Sequence, residues 1–408
     1  GNYNTVVGDE AGTAITTGDN NTLLGYQTGD ALTTPFGNVA IGDRALSAET
    51  TGQRNTAVGS TALFAQNNTG NELVYNTAVG YQAGSAITTG IQNTILGALA
   101  GDALTTGKEQ MAIGYEALSA ETNGIASTAV GYQALKAQNG SGAINVYNVA
   151  VGYQAGLSIT TGIRNTIMGS GAGDALTDAD YNIAMGYHAL GTDTQGSRSV
   201  AIGYYALRYQ NFTSATNAFN TAVGFNAGNA VTTGIKNNLF GANAGLALTD
   251  ADFNTAIGHS ALATDTQGST STAIGYQALT TQNFTSATDS KNVAVGYDCG
   301  VAVTTGTLNT FMGYNAGGSN TTGYDNICIG RDSGLTGSDA GGSGCVTGFR
   351  NILIGQGGNL SATDGSHQLT LGSHITGADS SFTFGNGGTD SRISVGATSI
   401  TAPSDERY

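Results

Sequence analysis

One glycine recurs along the whole chain at fixed intervals. It stands at Gly8, Gly25, Gly42 and Gly59, then at Gly80, Gly97, Gly114 and Gly131, and so on to Gly355. The spacings run 17, 17, 17 and 21, so the quartet repeats every 72 residues, as in Gly8, Gly80, Gly152, Gly224 and Gly296. Seventeen residues are too few for a helical hairpin, and 64 glycines in 408 residues argue against helix. Thr/Val-Ala-Val/Ile before the glycine is strand language. Ala-Ile-Thr-Thr-Gly after it reads as a second strand and a turn. The expectation is an all-β fold, a β-solenoid of about twenty coils stacked at about 4.8 Å.

The columns of the stack follow from alignment on the glycine. The residue before it is always large and apolar (Val79, Leu96, Ile113, Val130, Val151), and this column is expected to fill the coil interior. Four residues before the glycine stands Asn, as in Asn76 and Asn148, except at Gln110, Ser127, Ser199 and Ser271. A ladder of stacked Asn amides fits that column. The invariant glycine, Gly80 or Gly152, marks a positive φ or a close backbone approach. With Val79 facing inward, Ala78 on the other strand face would form an outer apolar strip. Such a strip needs cover, which predicts side-by-side or intertwined chains in a homotrimer.

Bulk is exchanged within each quartet. Four residues after the glycine the coils read Gly84, Gly101, Leu118 and Leu135, and seven after it Ile87, Leu104 and Glu121. Where Leu enters one column an acid replaces the apolar residue of the other, which suggests a core of conserved volume. Similarly, Ile95, Ile167 and Leu239 replace the usual Ala where Ala98, Ser170 and Ala242 replace the usual Tyr.

Composition narrows the function classes. The net charge of −15 repels nucleic acid and anionic membranes, and no apolar run reaches membrane-spanning length. Cys299, Cys328 and Cys345 form neither a disulfide framework nor a metal cluster. No catalytic motif, metal site or cofactor fingerprint is present, so no enzyme is expected. The pairs Asp178/Asp180 and Asp250/Asp252 recur at 72 residues in turns, unlike a catalytic pair. The column Glu49, Glu121, Asp193, Asp265 reads as solvated surface acid, with calcium as the alternative.

Binding candidates remain. A tyrosine column follows the glycine, including Tyr81 and Tyr153, and could stack on sugar rings, on itself, or against another subunit. Four-residue insertions lengthen segments 63–75, 135–147, 207–219 and 279–291, which carry Tyr75, Tyr147, Tyr209, Phe212 and Phe284. They read either as binding loops or as bulges at a subunit contact. A Thr column eight residues after the glycine reads as an internal hydrogen-bonding ladder, with ice binding as the alternative.

Asn38-Val-Ala-Ile-Gly-x-x-Ala-Leu-Ser-Ala48 resembles the head repeats of trimeric autotransporter adhesins, and similar arrays occur in phage tail fibres. The resemblance spans roughly residues 1–360, with a longer unit than the adhesin repeat, and implies a homotrimeric β-roll. Residues 361–403 read as a degenerate β transition region. Ala402-Pro-Ser404-Asp405-Glu406-Arg407-Tyr408 resembles the opening of the endosialidase-type intramolecular chaperone domain, which implies processing between Ser404 and Asp405. Residues 404–408 would then begin that domain. The family likeness implies an extracellular or virion-surface fibre that binds itself and a cell-surface glycan or receptor. The rival readings are a monomeric solenoid surface protein, ice- or glycan-binding, and a polysaccharide depolymerase.

Overall fold

The computed structural model describes residues 1–70, 72–140, 145–337, 343–386 and 391–394. Each repeat contributes a three-residue strand ending just before the periodic glycine. Thr77–Val79, Thr94–Leu96, Met111–Ile113, Thr128–Val130 and Val149–Val151 are consecutive examples. Thr, Val and Ile favour this extended backbone because their branched Cβ packs well on a pleated surface. Successive strands pair in parallel and in register, Thr77 with Thr94, Ala78 with Ile95 and Val79 with Leu96. The fold is an all-β solenoid with one coil per repeat.

The coils form two units. The first comprises Gly1–Ala201 and Asn211–Asn217, the second Ile202–Gln210 and the chain from Ala218. In the first unit the parallel series runs from Thr5–Val7 to Ile183–Met185. In the second it runs from Thr221–Val223 through Leu369–Ser373 to Ser381–Asn386, where Ser391–Ser394 adds an antiparallel strand. The Ala-Ile-Thr-Thr-Gly segment is a turn and not the expected second strand. Single backbone bonds still link it between coils, Thr88 N–H donating to Thr105 O at 2.9 Å.

The interior column lies one residue earlier than the sequence pattern suggests. Ala78, Ala112, Ala129 and Ala150 are fully buried, as are Ile95 and Ile167. Val79 and Val151 are only half-buried, and Leu96 is 47% exposed. A three-residue strand points one side chain inward and two outward. Because both faces are apolar, hydrophobicity alone could not orient it. The small residue faces inward because other columns already fill the coil, among them Ala83, Leu118 and Ile87, all fully buried.

The two exchanging columns do share space, and Ile95 shares it with them. A Cβ on Gly84 would lie 2.9 Å from both Ile87 Cδ1 and Ile95 Cδ1, and one on Gly101 2.8 Å from Leu104 Cδ1 and 3.3 Å from Ile95 Cδ1. Ile95 therefore fills the space above two glycines. Its correlation with Ala98 has no shared volume behind it, because Ala98 is partly exposed while Ile95 is inside.

The periodic glycine is required on two counts. Gly80 has φ +141°, and a Cβ there would meet the Gly97 carbonyl oxygen at 2.5 Å. The Asn ladder forms as well: Asn93 N–H donates to Asn76 Oδ1 at 2.9 Å, and Asn76 Nδ2 donates to Gly90 O at 2.8 Å. Fully buried amides are thereby satisfied by the neighbouring coils.

Candidate binding surface

The acid column is buried, correcting the expectation of solvated carboxylates. Glu49, Glu121, Asp193 and Asp265 are fully buried. Glu121 Oε1 accepts from the backbone N–H groups of Thr122, Asn123 and Gly124 at 2.9, 3.1 and 2.7 Å. Gly140 N–H reaches both carboxylate oxygens, at 3.2 and 3.1 Å. Gln138 Nε2 completes the nest, and Gln138 Oε1 then accepts from Asn148 Nδ2 at 2.9 Å. The same arrangement holds at Glu49, Gln66 and Asn76. Once per quartet, then, an acid and an amide replace apolar residues in the interior, and the four-residue insertion supplies the N–H of Gly140 or Asn68. A carboxylate wrapped by amide donors needs no cation. Among the described residues no group of three or more His, Cys, Asp or Glu side chains is arranged to hold a metal.

The Asp pairs also serve the backbone. Asp180 Oδ1 accepts from Ile163 N–H at 2.8 Å and Asp252 Oδ1 from Ile235 N–H at 2.7 Å. Thr88 and Thr105 hydroxyls donate to Thr105 O and Thr122 O at 3.3 and 3.1 Å, so the Thr column is spent on the stack. The three thiols are buried and free. Burial pushes Cys299 up to about 12 and Cys345 to about 11.

Two outward columns flank the strand. Tyr115, Tyr132 and Tyr153 stack with centroids 5.5 and 5.2 Å apart and planes within 16° and 6° of parallel. Tyr276, Tyr297 and Tyr314 repeat the motif at 4.9 and 5.4 Å. Within these runs the faces between neighbouring rings are covered, so the middle rings, Tyr132 and Tyr297, present only their edges to a ligand. Tyr81 is 55% exposed. Of the insertion residues, Tyr75, Tyr147 and Tyr209 are exposed, whereas Phe212 and Phe284 are buried, each with its N–H bonded to the buried Asp193 or Asp265. These two phenylalanines are packed inside, where the expectation placed them on an outer loop. Ser404 and Asp405 lie outside the described residues.

The second column stands five residues before the glycine and was not singled out in the sequence. Tyr147, Arg164, Tyr181 and Arg198 occupy it in four successive coils, all at φ between 54° and 64° and all exposed. Arg164 and Arg198 lie over the Tyr181 ring at 5.4 and 5.5 Å. Arg54 over Tyr75 and Lys236 over Phe253 repeat the contact at 5.6 and 4.9 Å. The signal was legible once the chain was aligned on its glycine, as alternating aromatic and cationic residues one coil apart.

Comparison with family models, with characterised proteins and with solved structures returns no match to this chain.

Proposed function

We propose that this chain is the shaft or receptor-binding part of an extracellular attachment fibre, a homotrimer of the phage tail-fibre or trimeric-adhesin kind. The outer face of the strands carries the reading. Val7, Leu24, Leu96 and Met168 of the first unit, and Phe240, Ile257, Met312 and Ile354 of the second, hold the same repeat position and are 37–56% exposed. A large apolar strip of this regularity calls for cover by another surface, and a repeated strip is best covered by the same repeat in a sister chain. The expected strip was the small Ala face, and its replacement by the large column strengthens the case for burial. The Asn, Thr and Glu side chains that hydrogen-bond from coil to coil favour a structural role over a depolymerase.

Beads coated with the full chain and offered a panel of bacterial and animal cells test this function. Retention of one cell type, competed by soluble chain, is the expected result. Retention of none, or release of reducing ends from surface polysaccharide, would overturn it.

A further inference from the structure

We infer that the column Tyr147–Arg164–Tyr181–Arg198 is a binding stripe for an acidic polysaccharide carrying a carboxylate on alternate sugars. The inference rests on the attachment reading and names the chemistry of the surface attached to.

The charge distribution is the first observation. In a chain of net charge −15 with 13 Lys and Arg, Arg54, Arg164, Arg198, Lys236, Lys291 and Arg350 all stand in this one column. Lys291 and Arg350 are offset by Asp289 and Asp325 at 3.6 Å. Arg164 takes part in no ion pair among the described residues. The neighbouring carboxylate, Asp180, accepts at Oδ1 from Ile163 N–H.

Pre-organisation is the second. Arg164 Nη1 donates to the Tyr181 hydroxyl at 2.5 Å, and both guanidinium groups lie over the Tyr181 ring. The rotamer freedom Arg164 would lose on binding is already restricted, and its remaining N–H donors suit a carboxylate fork.

Spacing is the third. The backbone ladder holds the column in register, Arg164 N–H to Val146 O at 2.8 Å, Tyr181 N–H to Ile163 O at 3.1 Å and Arg198 N–H to Asp180 O at 3.0 Å. The two arginines are therefore two coils apart, about 9.6 Å. Carboxylates on every second sugar of an extended glycan recur on that scale. Single-stranded nucleic acid fits less well, because base stacking needs open aromatic faces and those of Tyr181 are occupied.

The test is equilibrium binding of the full chain to hyaluronan fragments, whose glucuronate alternates with a neutral sugar, beside oligo-dT and poly-glutamate. Hyaluronan should bind in low salt, more tightly than either alternative. Arg164→Gln with Arg198→Gln should weaken it about tenfold, while Arg44→Gln, outside the column, leaves it unchanged. Tyr181→Leu, which keeps both charges but removes their template, should also weaken it. Absence of hyaluronan binding, equal or tighter binding of oligo-dT or poly-glutamate, or equal loss with Arg44→Gln would overturn the proposal. Cell retention and oligomeric mass are read separately, so failure of the stripe is distinguishable from failure of the fibre reading.

Discussion

Gln138 Nε2 donates to Glu121 Oε2 at 2.9 Å with both side chains fully buried, and this pair explains why the coil pattern repeats every fourth coil. The acid takes up the N–H groups of its own turn and of the inserted segment, while the amide passes the bond on to the Asn148 ladder.

Glu121→Ala strands those donors in the interior. Unfolding of the full chain in urea should show a loss of about 3–5 kcal/mol, the scale of breaking a buried charged network. Hydrogen exchange should rise chiefly in adjacent coils, since contacts run between neighbours. A loss below about 1 kcal/mol would mean that water replaces the carboxylate freely.

The strand orientation gives a paired test. Ala150→Asp places a carboxylate among fully buried residues and should open the neighbouring coils to hydrogen exchange, costing on the order of 3–5 kcal/mol. Val151→Asp, on the outer face, should leave the coil folded and act on association instead. The reverse ranking would restore Val151 to the interior.

Leu118→Gly should cost less than an ordinary core truncation of about 2–5 kcal/mol, because Leu118 sits at φ +53° and glycine relieves that conformation. Adding Glu121→Ile should deepen the loss, since it deletes the acceptor that Thr122, Asn123, Gly124 and Gly140 use. A double-mutant cycle in denaturant measures this, and rescue by the second change would show that Glu121 contributes only volume.

Burial holds Cys299 near 12, Cys345 near 11 and Cys328 well above the usual thiol range. At pH 8 the folded chain should react negligibly with a thiolate-specific disulfide reagent, and all three thiols should react in denaturant. Rapid labelling of the native chain would contradict their placement in the core.

Much of this was legible in the repeat itself. Gly80 and Asn76 could be assigned because an invariant glycine and a ladder of amides each have few physical causes. Val79 was misplaced because its strand is apolar on both sides, and three residues are too short for alternation to reveal the buried face. Glu121 was misread because a carboxylate in a turn usually faces water. Nothing local announces that the backbone donors of its own turn and of the inserted segment converge on it. The arginine–tyrosine column was missed because each residue is ordinary alone and only its recurrence at one coil position carries meaning.

Cover of the outer strip by sister chains is the central claim, and the mass of the full chain in solution tests it most directly. Sedimentation equilibrium at micromolar concentration should return three times the 40.9 kDa chain, with Leu96→Asp together with Met168→Asp shifting it toward a single chain. A wild-type mass of 40.9 kDa would contradict the account.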